Sequence, residues 1–462
     1  MIPNRTDSLT FEEDDRLEMK AFCESLERYA VVEHDYVEGS LVLALNAGFG
    51  AGKSTFIQMW KNDLLSRRSR GDFVPMPVVL NSWESDHCGD PMLAILAGLI
   101  EVVENWKGDD SPSKEGLEEA SKDIGWFLTG LGNGVAAKFT GIDPIKAAEF
   151  SSAKKAKRSS ESPDLIKLYQ QRVSALNNLR QKIKETFGGD EPKVIIFIDE
   201  LDRCRPDYAI YYLETIKHVF NIRGLIFILA VDADQLRSSA GVLFGPSLDF
   251  NEYFRKFAHR TIHFEPVKES SYRAITGEYI RRFLAVEGKR SSMLSLDNHR
   301  RDQFVELAKA LRMRPRQIQE AFRTIGHVFS TTNDERKGNV YWCLGAATVF
   351  LAMLSVAEPE FYQRVIKNKI THEEFGQYLI SLLGRRDADW WYKIYLTGCS
   401  RNEEDLPCEQ LLRSLGFLEE TDPWDIRKLG DFLRGWGDYH RRDRFWEVAQ
   451  RIETMRAFDS ST

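Results

Sequence analysis

A glycine-rich segment at residues 47–55, AGFGAGKST, carries the residue types that bind the phosphates of a nucleotide. Glycines let the backbone curl so that several N–H groups point at phosphate oxygens, and a following helix adds the positive end of its dipole. In such a loop Lys53 reaches the β- and γ-phosphates, and the Ser54 hydroxyl ligates Mg²⁺. We therefore expect the nucleotide to be bound by Gly48, Phe49, Gly50, Ala51, Gly52, Lys53, Ser54 and Thr55.

One position departs from the usual phosphate-loop (Walker A) pattern, because Ala47 stands where the first glycine is expected. That position turns the chain and does not touch phosphate, so alanine is compatible with the loop. An apolar run at 41–45 precedes the loop, and a helix-like run at 56–60 follows it. Strand, loop and helix in this order are the context in which the motif works.

An acidic pair follows a second apolar run. The sequence VIIFI at 194–198 is typical of a strand that is buried on both faces of a parallel sheet, and it ends in Asp199 and Glu200. Asp199 can bind the Mg²⁺ that bridges the phosphates, through water, as a Walker B residue does. Glu200 can polarise the attacking water and accept part of its proton. We expect Ser54 and Asp199 to bind the metal, and Lys53 and Glu200 to be catalytic.

Two arginines just after the acidic pair have alternative roles. Arg203 and Arg205 lie where a second subunit could contact them, and either could act as an arginine finger. Either could instead pair with Asp202, and for Arg203 the pairing is favoured.

Two more candidates for catalysis lie further along the chain. Asp232 ends the apolar run 225–231, so it could sense the γ-phosphate or orient the water, or it could cap the next helix. Arg316 lies where a helix is expected to start after a proline. There it could fold back onto the γ-phosphate as part of a helical lid, or belong to a solvated basic helix start.

The elements that must position these residues alternate between strands and helices as far as about residue 267. This alternation predicts an α/β fold with a doubly wound parallel sheet, in which 73–80 forms the second strand. Residues 107–163 are rich in Gly, Ser, Lys and Asp, and predict a helical, partly flexible insertion. The remainder is typical of helices. We predict a nucleotide-binding core at 1–270, a helical lid at 271–330 and a helical C-terminal domain at 331–462.

Composition excludes several function classes. The chain has 462 residues, 43% hydrophobic and 29% charged, and its net charge of −7 argues against a surface that generally coats nucleic acid. Six cysteines without a C-x-x-C pair or zinc spacing predict reduced thiols in the cytoplasm. No apolar signal segment stands at the N-terminus. Two apolar stretches, 126–137 and 340–357, do not predict a membrane span, and the second is expected to be a buried core helix.

Taken together, the motifs resemble the KAP family of P-loop NTPases. Six short motifs follow one another in the order that the family has, at 49–54, 81–83, 199–204, 231–236, 253–256 and 314–316. The resemblance covers roughly residues 10–330 and implies an ATPase core of the additional-strand catalytic-glutamate type, extended by an insertion. It implies ATP and Mg²⁺ as ligands. Bacterial members often occur in phage-exclusion and other defence systems and act with partner proteins.

These observations favour Mg²⁺-dependent ATP hydrolysis that drives a conformational or assembly switch, as the ATPase component of a multi-protein antiphage system. Protein partners and a homo-oligomer are expected. The alternative is a nucleotide-gated scaffold with little turnover, which binds a partner or nucleic acid; the basic run KKAKR at 154–158 would then be its contact surface. A small-molecule kinase is disfavoured by the acidic pair and by the long helical tail.

Overall fold

The computed structural model describes residues 9–107, 112–129, 165–264, 267–286, 298–331, 342–399, 408–419, 427–436 and 444–459. The chain divides into two compact units, Met1–Asp15 with Met19–Glu265 and Arg16–Glu18 with Pro266–Thr462. The first unit contains a β-sheet. In the second unit the described residues form helices, without a strand.

Five parallel strands form the sheet of the first unit, in the order β2-β3-β4-β1-β5. Their bounds are Leu41–Asn46 (β1), Met76–Asn81 (β2), Val194–Asp199 (β3), Leu225–Val231 (β4) and Arg260–His263 (β5). Every residue of β3 and β4 is buried, which agrees with their continuous apolar sequences. Strand β4 lies between β1 and β3 and is the additional strand that the family resemblance implies.

Ten helices of the first unit surround this sheet in the described part of the chain: α1 (Phe11–Asp14), α2 (Lys20–His34), α3 (Lys53–Ser69), α4 (Ser82–Asp86), α5 (Pro91–Lys107), α6 (Pro112–Thr129), α7 (Leu165–Phe187), α8 (Pro206–Val219), α9 (Ala233–Phe244) and α10 (Phe250–Phe254). Both faces of the sheet are covered. Ile196 of β3 belongs to a cluster with apolar residues of α5, α7 and α8, whereas the next residue, Phe197, meets Trp60 of α3 with ring centroids 5.0 Å apart. The predicted doubly wound α/β fold is confirmed.

Part of the predicted insertion is helical. Helix α6 lies within 107–163 and packs against α5 and α7, where Leu117 and Ala120 are buried. The basic run at 154–158 lies outside the described residues, as does 130–137 of the first apolar stretch.

The second unit consists of α11 (Glu269–Val286), α12 (Asn298–Ala310), α13 (Pro315–Thr331), α14 (Trp342–Ala357), α15 (Pro359–Ile366), α16 (His372–Cys399), α17 (Cys408–Ser414), α18 (Arg427–Gly435) and α19 (Arg444–Asp459). One hydrophobic cluster extends from Tyr272 to Ile452, so the predicted lid and C-terminal domain share a core. The division at 330 therefore stays a prediction from sequence. Helix α14 is the core helix expected at 340–357, and no described helix is long and apolar enough to cross a membrane.

Candidate nucleotide-binding site

The glycine-rich loop connects β1 to α3, which begins at Lys53. Gly50 and Gly52 have φ angles of +76° and +102°, in the left-handed region that glycine adopts without steric cost. Within the loop, the N–H of Ala51 donates to the carbonyl of Gly48 at 3.3 Å. The first turn of α3 presents N–H groups that have no partner within the helix, and the glycines allow the backbone to approach a ligand there.

Lys53 is acted on by the charges of several side chains around the loop. Its Nζ donates to the carbonyl of Ala47, the residue that replaces the first motif glycine. Burial lowers the pKa of Lys53, and the positive charge of Arg203 adds to the lowering, whereas Asp202, Asp232 and Asp199 oppose it. An ammonium group that is partly removed from water and lies near three carboxylates is poised to exchange its carbonyl partner for phosphate oxygens.

The donor set fits a magnesium ion. Ser54 and Thr55 are exposed in the first turn of α3, and Asp199 is buried at the end of β3. The carboxylate of Asp199 accepts from the N–H of Glu200 at 2.9 Å, and the Ser82 hydroxyl donates to the carbonyl of Asp199 at 2.6 Å. A hydroxyl and a carboxylate are the hard oxygen ligands that Mg²⁺ prefers, with water completing the shell.

Glu200 has an unusual backbone conformation. Its φ and ψ angles are 63° and 22°, in the left-handed region that costs a residue with a side chain about 1–3 kcal/mol. Its Oε1 pairs with Nη1 of Arg203 at 2.7 Å, and its Oε2 accepts from Nδ2 of Asn81 at 3.3 Å. Both carboxylate oxygens therefore have a protein partner.

The two arginines after the acidic pair have different partners from those considered in the sequence. Arg203 pairs with Glu200, not with Asp202, because the left-handed turn at Glu200 is followed by a 3₁₀ turn, which brings residues three apart together. Arg203 also places its guanidinium carbon 4.8 Å from the ring centroid of Phe49 in the loop. Arg205 pairs with Asp86 instead, with Nε 2.9 Å from Oδ1.

Asp232 caps α9, because its side chain accepts from the N–H of Asp234 at 3.2 Å. The cap does not remove Asp232 from the site, since its charge still acts on Lys53. Arg316 is exposed in the first turn of α13, in the second unit, and its role at the γ-phosphate stays a prediction.

The sequence did not predict three of the interactions in the site. Asn81 contacts Glu200, and Asn46 accepts from the N–H of Ala233, next to Asp232, at 2.9 Å. Asp202 lies close to Lys53, and burial raises the pKa of Asp202 while the charge of Lys53 opposes the rise. A common signal was available: Asn46 and Asn81 each end a strand, and parallel strands place their carboxyl ends at one edge.

A parallel sheet in the order 5-1-4-3-2, with a glycine loop after its first strand and an acidic pair after its third, defines a P-loop NTPase of the additional-strand type. The chain belongs to the KAP family: the KAP family P-loop domain matches residues 21–331. The predicted family resemblance is thereby confirmed, and the family together with the site supports nucleotide binding.

Two other proteins show similarity to this chain. The "Uncharacterized protein MJ0182" of Methanocaldococcus jannaschii is 35% identical over 66 residues, which are 14% of this chain and 34% of that protein. The chain thus matches about a third of that relative's length. The structure of the Aeropyrum pernix ORC2 protein (ADPNP-ADP complexes) is 11% identical, covers 95% of each chain and has a TM-score of 0.33. The family assignment rests on the domain match alone.

Proposed function

We propose that the protein binds Mg²⁺-ATP in the loop at 47–55 and hydrolyses its terminal phosphoanhydride bond. The observation that carries this proposal is the glycine loop between β1 and α3, with left-handed Gly50 and Gly52, whose Lys53 is acted on by the charges of Asp199, Asp202 and Asp232. Because the phosphates of ATP are anionic, Lys53 binds and orients them, and the N–H groups of the first turn of α3 add further donors. Adenine is inferred from the family, together with the absence of a guanine-reading Asn-Lys-x-Asp segment from the sequence.

The other residues of the site would have separate roles at the γ-phosphate. Ser54 and Asp199 would bind Mg²⁺, which neutralises charge on the phosphates when bound. Glu200 orients the attacking water and accepts a proton from it, once one of its oxygens is released by its present partners. Asp232 would act on the same phosphate, since its charge acts on Lys53.

Hydrolysis is proposed to drive a switch in shape or assembly. Arg316 is proposed, from the sequence pattern alone, to report the γ-phosphate to the lid helices. A protein partner, a homo-oligomer and an antiphage setting are proposed from the KAP family alone. Six free cysteines support a reducing compartment, the cytoplasm.

A second candidate function has its own support. Both oxygens of Glu200 contact protein groups, which restricts the directions from which an attacking water can approach the carboxylate. A nucleotide-gated scaffold, which binds ATP and waits for a partner, would have this property.

Single-turnover chemistry separates the two functions. The purified protein is mixed in excess with γ-labelled Mg²⁺-ATP, and free phosphate is followed for hours beside equilibrium ATP binding. Binding with free phosphate supports the hydrolase, and binding without it supports the scaffold. Label transferred to an acceptor in place of free phosphate would contradict both, and no binding at all would end the proposal.

A further inference from the structure

The guanidinium of Arg203 joins the two halves of the candidate site. It pairs with Glu200 at 2.7 Å and lies 4.8 Å from the centroid of the Phe49 ring, which belongs to the loop. Its charge also reaches Lys53. One exposed cation therefore contacts the proposed water-orienting carboxylate and the phosphate-binding loop together.

The present contacts orient the carboxylate of Glu200 toward Arg203 and Asn81. A carboxylate that polarises water must accept a hydrogen bond from that water in the right direction, and Arg203 and Asn81 each occupy one direction of approach to its oxygens. The left-handed backbone of Glu200 fixes the direction in which its side chain leaves the chain. A movement of Arg203 would open that side of Oε1 to water.

A bound triphosphate supplies the reason for such a movement. Arginine binds carboxylate and phosphate with the same planar fork of N–H donors, and the terminal phosphate would lie beside Lys53. Phe49 lies under the guanidinium and is itself 48% exposed, so the guanidinium can rotate over the ring while it stays in contact with Phe49. A diphosphate lacks the terminal group and offers no such exchange.

We propose that Arg203 is a positioning residue that changes partner: it holds Glu200 in the nucleotide-free protein and turns to the terminal phosphate of a bound nucleoside triphosphate. The exchange frees Oε1 of Glu200 for water only when a third phosphate is present. Arg203 thereby acts within its own chain, and Phe49 keeps it beside the loop. This inference rests on the proposed function and concerns the regulation of the same site.

The test compares affinities for the imido analogue of ATP and for ADP, both with Mg²⁺, at equilibrium and without turnover. Arg203→Lys keeps the charge but loses the planar fork, so it should weaken analogue binding about tenfold and change ADP binding less than about twofold. Phe49→Leu should reduce the preference for the analogue about threefold, because the ring contact is lost. Glu200→Gln should increase that preference about threefold, because Arg203 then leaves a neutral partner.

Arg237 offers a matched control, since it pairs with Asp234 at 2.7 Å and lies 5.5 Å from the Phe250 ring centroid. Arg237→Lys should leave both affinities unchanged. Thermal melting without nucleotide checks that each variant is folded; if Arg203→Lys is not, Phe49→Leu and Glu200→Gln decide the question.

The outcomes separate this inference from the proposed function. An equal loss of analogue and ADP binding in Arg203→Lys, or an unchanged preference in Glu200→Gln, would overturn the exchange. If the parent protein binds both nucleotides and Lys53→Ala binds neither, while the Arg203 variant keeps the parental preference, the exchange alone fails. If the parent binds neither nucleotide, the proposed function and the exchange fail together.

Discussion

The left-handed backbone conformation of Glu200 predicts that a glycine variant is more stable than an alanine variant at this position, which reverses the usual order. Glu200→Ala and Glu200→Gly both remove the contacts with Arg203 and Asn81. The difference between their free energies of unfolding therefore reports the effect of the backbone conformation at φ 63°. The left-handed conformation costs alanine about 1–2 kcal/mol, whereas glycine loses about 0.5–1 kcal/mol more through its unfolded-state entropy. We therefore expect the glycine variant to be more stable than the alanine variant by about 0.5–1 kcal/mol.

Thermal melting of the two purified variants measures this difference. In a unit of roughly 250 residues, 1 kcal/mol shifts the melting temperature by about 2–4 °C, so the glycine variant should melt roughly 1–4 °C higher. Ser238, exposed in the middle of α9, is a matched control in the same unit. There alanine should be more stable than glycine by about 1 kcal/mol, because the backbone is helical. If alanine is also the more stable residue at position 200, the strained conformation is absent and our account of how Glu200 is oriented is wrong.

Three further predictions concern the charges and the metal. Because burial lowers the pKa of Lys53 and only the protonated amine pairs with phosphate, ADP affinity should fall at a lower pH than an unperturbed lysine would give, and Lys53→Arg should remove this fall; parallel profiles would contradict the assignment. Ser54→Ala should raise the Mg²⁺ concentration needed for half-maximal phosphate release about tenfold, and an unchanged requirement would remove Ser54 from the metal site. Asn81→Asp keeps the oxygen that caps α4 but places a second carboxylate oxygen about 3.3 Å from that of Glu200, and this like charge should lower turnover at least tenfold, at about the parental melting temperature; parental turnover would show that a charge at this position does not act on Glu200.

Local sequence determines most of the sheet. The predicted strand at 225–231 is β4 with the same bounds, and the runs at 41–45 and 194–198 are β1 and β3 to within one residue. The second strand was predicted at 73–80 but spans Met76–Asn81. The prediction included Phe73 because it is apolar, yet this residue is 80% exposed. Pro77 within β2 is tolerated because this strand lies at the edge of the sheet.

The site was predictable where its residues are neighbours in sequence. The loop and the acidic pair have fixed spacings, and a single phosphate group contacts several residues of one turn, so a motif describes them completely. Asn81 lies 119 residues from Glu200, and the two meet only because β2 and β3 pair in a register that places Asn81 opposite Asp199. No local sequence pattern specifies that register. The partner of Arg203 likewise depends on the backbone angles of one residue, which composition cannot indicate.

The most direct test of the central claim is steady-state phosphate release from Mg²⁺-ATP by the parent protein, Lys53→Ala and Glu200→Gln. We predict release by the parent, none by either variant, and equilibrium ATP binding that is retained in Glu200→Gln but lost in Lys53→Ala. Phosphate release by Lys53→Ala at the parental rate would contradict the claim, because turnover would then not occur at this loop.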